Sequence, residues 1–322
     1  MFDLARYLKS AGVPYIERGP NVQRDNINIK CPFCVEDPSM HMGISLTTGR
    51  WGCWRDSSHR GSKPGRLLRY VLGISWDEVE RIVGGEKSTT TASVEDLEEA
   101  LKTLGPQSHT PIETVEFPSF FKCISDEGYS KPYWSYLQKR GFSYEDTRSL
   151  VREFDLRYTL TGDFAYRVII PIRFQEKLIG WTARAIVPAA IRYLSFPRGD
   201  LKDQSAIKRI LFNYDRVAEG GQLLTACEGP LDAMKVDFYG ASKGIRSIGT
   251  LGVSLTPIQV SLIAKLSGRF DRIGVLLDSD AQSQAVSLWS RLSCVGGELL
   301  ELPRDVKDPG EMNRSQVLSL VQ

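Results

Sequence analysis

Three acidic motifs stand just past apolar runs in the last third of this 322-residue chain. Glu228-Gly229-Pro230-Leu231-Asp232 follows LLTAC, Asp278-Ser279-Asp280 follows RIGVLL, and Asp308-Pro309-Gly310 follows ELLELP. If the apolar runs are parallel strands, the loops at their carboxyl ends open onto one crevice. Carboxylates gathered there repel one another unless cations share the space. Oxygen-only ligands with incomplete coordination suit Mg²⁺ or Mn²⁺, leaving positions for water and substrate phosphates. Two such ions would lower a nucleophile's pKa, bridge phosphates and stabilise the charge of a phosphoryl-transfer transition state. Any one motif alone reads as a turn or a helix cap; three in order, each after a strand, point to a site. Glu228, Asp278 and Asp280 are the candidate catalytic residues. Glu228, Asp232, Asp278, Asp280 and Asp308 are the candidate magnesium ligands.

A second constellation lies near the start. Cys31-Pro-Phe-Cys34 places two thiolates on one tight knuckle, and Cys53 and His59 follow. That set suits tetrahedral Zn²⁺, which would staple a segment with few large apolar side chains. A redox CxxC would be followed by a helix, whereas short strands and a third Cys follow here. His59 is the expected fourth ligand; Asp56 is one alternative, and His41 is another if the hairpin folds back. His41 is expected to be polar and exposed on the ribbon. Around the site Trp51, Trp54 and Arg55 mix aromatic and cationic side chains, a combination that stacks on unpaired bases and neutralises their backbone. One Trp is expected to be buried and the other available.

These groups need elements to hold them. Residues 2 to 12 show helical spacing and end at Gly12. NINIK, HMGISL and RWGCW read as short strands, and residues 65 to 83 return to a helical pattern. GGEKSTTTAS reads as linker, and the short acidic helix VEDLEEALKTL lies within a longer loose stretch. YWSYLQKRGFSYEDTRSLV reads as two helices around an RGF turn. YRVIIPIRF and KLIGWTARAI read as paired strands joined at Gln175-Glu176. From 219 onward strands alternate with helices, which means a parallel sheet with crossover helices.

The expected divisions are a zinc-ribbon, template-reading domain over 1–83, a linker over 84–118, a basic subdomain over 119–218 and a metal-binding catalytic subdomain over 219–322.

Composition narrows the partners. Net charge is only +2, so polyanion contact must come from local clustering. Arg167 to Arg216 holds ten Lys or Arg against four Asp or Glu. No apolar run approaches the roughly 20 residues that span a bilayer, so no membrane partner is expected and the cytoplasm is the expected location. Six cysteines in such a chain argue against a disulfide framework. Cys123, Cys227 and Cys294 are expected to be buried thiols.

The acidic motifs match the TOPRIM signature, which primases share with topoisomerases, nucleases and recombination proteins. The order of parts resembles bacterial and phage DNA primases, in which a CHC2-type zinc ribbon precedes a basic subdomain and TOPRIM follows. YRVIIPIRF…GWTAR resembles their strand pair, with Arg167 and Arg184. RYLSFP resembles their lysine-tyrosine-leucine motif, with Arg192 and Tyr193. IKRILFNYDR resembles the next motif, with Lys208, and LQKRGFS an upstream helix-turn element, with Arg140.

The resemblance implies an α/β multidomain fold: an N-terminal zinc ribbon, then a primase catalytic core with a basic mixed α+β subdomain and a TOPRIM parallel-sheet subdomain. It implies template-dependent synthesis of short RNA primers from NTPs on single-stranded DNA, by two-metal nucleotidyl transfer. Trp51, Trp54, Arg55, Arg140, Arg167, Arg184, Arg192, Tyr193 and Lys208 would then contact nucleic acid or NTP. Asp56 stands where a fourth Cys often falls in relatives. There is no GxxxxGK[ST], so a stand-alone phage- or plasmid-type enzyme working beside a separate helicase is expected. The competing readings are a TOPRIM nuclease, which would need no NTP, and a DNA-binding adaptor with an inert TOPRIM.

Overall fold

The structure, a computed structural model, describes residues 4–35, 37–84, 113–197, 206–252, 255–279, 281–292 and 295–321. It contains three sheets. The first is an antiparallel meander in chain order: β1 (Tyr15–Ile16), β2 (Asn26–Ile29), β3 (Met42–Ser45), β4 (Trp51–Cys53) and β5 (Arg60–Gly61). Ile27, Ile29, Met42, Ile44 and Trp51 form its core with Leu4 and Leu8 of the first helix and Leu67 and Leu68 of a later one. The helical pattern over 65 to 83 resolves into two helices, Pro64–Leu72 and Trp76–Gly84. Gly73, at φ +65°, caps the first of them in the left-handed conformation that an L side chain resists.

The second sheet holds β6 (Lys122–Cys123), β7 (Arg157–Tyr158), β8 (Arg167–Phe174), β9 (Lys177–Ala185) and β10 (Tyr193–Phe196), all antiparallel, in the order β10-β9-β8-β7-β6. Residues of β8 alternate between two cores because strand side chains alternate faces. Val168, Ile170 and Ile172 join the main core, while Ile169 joins Trp181, Ala183 and Phe121 on the other face. The β8–β9 turn falls at Gln175-Glu176, both at positive φ, and the Asp215 carboxylate accepts both of their amide protons at 2.9 and 2.8 Å. Val115 and Phe117, which the sequence assigns to linker, pack against this second face. Cys123 lies exposed on edge strand β6, contrary to its expected burial; Cys227 is buried, and Cys294 lies outside the described residues. The expected acidic helix also lies outside them.

The third sheet is parallel, in the order β12-β11-β13-β14: β11 (Gly221–Cys227), β12 (Ile245–Gly249), β13 (Phe270–Val275) and β14 (Gly297–Leu299). Helices Pro230–Gly240, Pro257–Ser267 and Gln282–Leu292 make the crossovers. Central β11 is buried along its whole length, as a strand covered on both faces must be. Fold class is therefore as expected: mixed α/β, with antiparallel sheets and one parallel four-stranded sheet.

The first sheet's unit rests on the starting end of this parallel sheet. Asp271, at the beginning of β13, accepts hydrogen bonds from the amides of Ser62 (3.1 Å) and Lys63 (3.4 Å) and from Arg66 Nη1 (3.2 Å). Trp76 Nε1 donates to the Glu219 carbonyl at 3.1 Å, with its ring against Gly220, where a β-carbon would collide with it. Gln222 reaches the Ser58 carbonyl, and Lys63 Nζ the Ser267 carbonyl.

Candidate active site and metal centre

Glu228 and Asp278 come from adjacent parallel strands. Leu224, Thr225 and Ala226 of β11 pair with Ile273, Gly274 and Val275 of β13, so both residues leave at the same end of the sheet. Ser279 N donates to the Lys307 carbonyl at 2.9 Å, which draws the 278–279 loop onto the segment carrying Asp308. Asp232 sits in the first turn of helix Pro230–Gly240, immediately after Glu228. Burial pushes the Asp232 carboxyl up to about 7; Asp308 and Asp278 add repulsion, against the pull of Arg140 and Arg184. These carboxylates therefore share one electrostatic neighbourhood. Asp280 lies outside the described residues. Among the described residues, the only group of three or more candidate ligands with metal-ligand spacing is elsewhere, at the cysteines. Among the described residues, Asp232, Asp278 and Asp308 converge on one neighbourhood without closing into a ligand cage.

A guanidinium lies inside this neighbourhood. Arg140 Nη2 is 3.6 Å from Asp232 Oδ1 and 3.8 Å from Asp308 Oδ1. The packing leaves no room at Gly310: a β-carbon there would collide with Arg140 Nη2 and Asp232 Oδ1 and come within 3.0 Å of Asp308 Oδ1. Gly229 is also confined, since its β-carbon would lie 2.6 Å from Asp232 Oδ2 and 3.8 Å from the Tyr193 hydroxyl. These two glycines are required by close approach, not by turn geometry.

The other basic candidates divide. Arg184 is directly across from Tyr193 in the β9–β10 register, with its guanidinium 4.8 Å from the Tyr193 ring centre. Burial first, then Asp232, raises the Tyr193 phenol above its ordinary pKa, so it stays a neutral donor beside the carboxylates. Arg192 is exposed next to it. Arg167 is committed elsewhere: its guanidinium donates to the carbonyls of Ala183, Ile191 and Arg192, which fixes the β9–β10 connection. Lys208 lies in the short 3₁₀ turn Ala206–Arg209. Sequence reasoning missed Tyr136. Its hydroxyl is buried with no hydrogen-bond partner among the described residues, and it influences both Arg140 and Tyr193 electrostatically. The signal was available, since Tyr136 stands one helical turn before Arg140.

The cysteine site is tighter. Candidate ligand atoms of Cys31, Cys34, Cys53 and His59 all lie within 4.8 Å of one another. His59 Nδ1 is 3.6 Å from Cys31 Sγ and 3.5 Å from Cys34 Sγ, so Nδ1 is the nitrogen that faces the thiols. Its Nε2 faces Asp56 Oδ2 at 3.7 Å, the usual outer partner that orients a metal-bound imidazole. Asp56 thus stands on the far side of the His59 ring from the thiols. Burial pushes the Cys31 thiol up to about 12. Asp37 organises the knuckle by accepting from the amides of Cys31 (2.7 Å) and His41 (2.8 Å). His41 is buried and paired with Asp37 through Nδ1, which corrects the expectation of an exposed residue. Trp51 is buried, stacked on Phe33 at 5.6 Å with Arg66 over its ring; Trp54 is 59% exposed, with Arg55 exposed beside it.

No known family's model matches the sequence, and no curated protein matches it. Among solved structures, the chain is similar to the DnaG primase catalytic domain bound to single-stranded DNA, at 20% identity over 69% of this chain and 74% of that one, with a TM-score of 0.42. It is similar to the RNA polymerase domain of Mycobacterium tuberculosis primase DnaG, at 17% identity over 61% and 74%, with a TM-score of 0.45. It is also similar to the primase fragment of the bacteriophage T7 primase-helicase protein, at 16% identity over 88% and 92%, with a TM-score of 0.41. These are likenesses of fold at low identity. No helix among the described residues is long and apolar enough to cross a membrane.

Proposed function

We propose that the chain is a DNA primase: a nucleotidyltransferase that copies single-stranded DNA into short RNA primers from NTPs, with catalytic Mg²⁺ or Mn²⁺ and one structural Zn²⁺. The observation that carries this reading is the neighbourhood of Glu228, Asp232, Asp278 and Asp308 at the carboxyl ends of a parallel sheet, flanked by Arg140, Arg184 and Tyr193.

Divalent ions held by the carboxylates would supply Lewis acidity at the triphosphate. The chain's own residues bind and orient. Arg184 and Arg192 offer cations to phosphate oxygens, and Tyr193 offers a neutral hydroxyl beside Asp232. In the first sheet Trp54 and Arg55 present a ring and a cation to unpaired bases. Cys31, Cys34, Cys53 and His59 fit zinc by donor type and by mutual distance. Use as a phage- or plasmid-type enzyme beside a separate helicase belongs to the same proposal, as does the cytoplasmic location.

The test is to incubate the protein with labelled NTPs, Mg²⁺ and mixed-sequence single-stranded DNA and to size the products. NTP-dependent oligonucleotides that disappear in Asp278→Asn support the reading. Cleavage of the DNA without any need for NTP would replace it with a nuclease.

A further inference from the structure

The acidic neighbourhood already contains a cation of the protein's own. Arg140 leaves the helix Lys131–Lys139 at its C-terminus and lies within 4 Å of both Asp232 and Asp308, with all three side chains largely buried. The turn that delivers it is held from below. Lys235, on the same helix as Asp232 and 1% exposed, donates from Nζ to the Arg140 carbonyl at 2.5 Å and lies 3.8 Å from the Phe142 ring centre. Tyr239, one turn further along that helix, donates to the Gly141 carbonyl at 3.3 Å. Gly141, at φ +84°, makes the turn possible, and a β-carbon there would press on Lys235 Nζ at 3.3 Å. One helix therefore carries both the carboxylate and the clamp for the guanidinium opposite it.

We propose that Arg140 is the resident counter-cation of the carboxylate site, positioned by Lys235. It neutralises Asp232 and Asp308 when no divalent ion is bound, and an arriving ion must compete with it. This rests on the reading of Asp232 and Asp308 as metal ligands. It assigns Arg140 a role in the metal-free state and in metal affinity, apart from any contact with phosphate. Lys235 is a positioning residue: it acts through the Arg140 carbonyl and reaches no reacting group.

The test uses the full chain with its zinc left in place. Arg140→Gln, Arg140→Lys, Lys235→Met and the unaltered protein are dialysed free of Mg²⁺ and Mn²⁺. Thermal unfolding is then recorded, and Mn²⁺ is titrated in by calorimetry or by the paramagnetic resonance of the free ion. Without Mn²⁺, Arg140→Gln should unfold about 2–4 °C lower, the scale of one partly exposed ion pair in a domain of this size. It should bind Mn²⁺ about fivefold more tightly, because the competing charge is gone. Arg140→Lys should restore both values toward those of the unaltered protein. Lys235→Met should shift Mn²⁺ affinity in the same direction as Arg140→Gln and by less. A structural role alone would lower the unfolding temperature and leave Mn²⁺ affinity unmoved. Unchanged or weaker Mn²⁺ binding by Arg140→Gln overturns the proposal. If the unaltered protein and Asp278→Asn both fail to bind Mn²⁺, the metal reading falls. The unfolding comparison of Arg140→Gln with Arg140→Lys then still decides whether the guanidinium is a counter-cation.

Discussion

Replacing Asp271 with Ala should release the zinc-bearing unit from the parallel sheet without unfolding either. Asp271 accepts from Ser62 N at 3.1 Å, Lys63 N at 3.4 Å and Arg66 Nη1 at 3.2 Å, with the Arg66 and Asp271 side chains 12% and 8% exposed. Removing one partner of a buried ion pair costs about 3–5 kcal/mol because the other charge is left unpaired. Here Arg66 keeps a second contact, over the Trp51 ring at 5.4 Å, so the loss belongs at the low end. The two amide bonds lie at the rim, where water replaces them at little net cost. A loss of about 3 kcal/mol shifts the docked-to-undocked ratio by roughly a hundredfold, at about 1.4 kcal/mol per tenfold.

Hydrogen exchange of the backbone amides reads this directly. Exchange at Ser62, Lys63 and the 219–222 edge should rise by up to about a hundredfold, while amides within β11 and β13 keep their protection. Zinc content should stay at one per chain, since no ligand is touched. Unchanged exchange at Ser62 and Lys63 would refute the claim that Asp271 holds the interface. Loss of zinc would show that the variant unfolds the ribbon instead.

Further outcomes follow from the same contacts. Cys34→Ser should lower zinc from one per chain to well below it by metal analysis, whereas Asp56→Ala should retain zinc and bind it roughly 10–100-fold more weakly by chelator competition. Full zinc in His59→Ala would show that the fourth ligand is another residue. Lys235 has its ammonium pushed from 10.5 down to about 8, by burial first and Arg140 next. Below pH 8 the group is charged folded and unfolded, and its burial is a full cost. Between pH 8 and 10.5 only the unfolded chain holds the proton, so stability rises with pH across that window by up to about 3 kcal/mol. Lys235→Met should lose that rise in denaturant titrations at pH 7.5 and 10; an equal rise in both proteins would contradict the burial argument. Asp278→Ala should abolish synthesis and leave the unfolding temperature equal or higher, because it removes a like charge from the cluster.

Much of the site was legible because its signals are local. The apolar runs before Glu228 and Asp278 show where β11 and β13 end, and a parallel sheet leaves its loops at one end; before Asp308 the run outlasts β14, which stops at Leu299. Cys31, Cys34, Cys53 and His59 have ligand spacing that few other arrangements explain. The Gln175-Glu176 turn followed from the two strand patterns that flank it. What stayed hidden depends on long-range contacts. Lys235 is covered by the turn from Arg140 to Phe142, which folds onto its helix from about 95 residues away. Asp271 has partners more than 200 residues away in the chain. His41 looked exposed because Asp37 reads as an ordinary turn residue, although its carboxylate folds inward to the knuckle. Arg167 carries the family-like position, yet its guanidinium is occupied by backbone carbonyls that no spacing rule reveals. Gly73 was readable: a lone glycine in a helical pattern is a common stop, and it divides residues 65 to 83 in two.

Whether the chain copies a template decides the account. Single-stranded DNAs of defined composition, each offered with all four NTPs and with single NTPs withheld, distinguish copying from untemplated addition. The expected products have a ribonucleotide composition complementary to the template, require Mg²⁺ or Mn²⁺ and vanish in Asp278→Asn. Products of the same composition on every template, or no incorporation from NTPs by a zinc-loaded and folded protein, would contradict it.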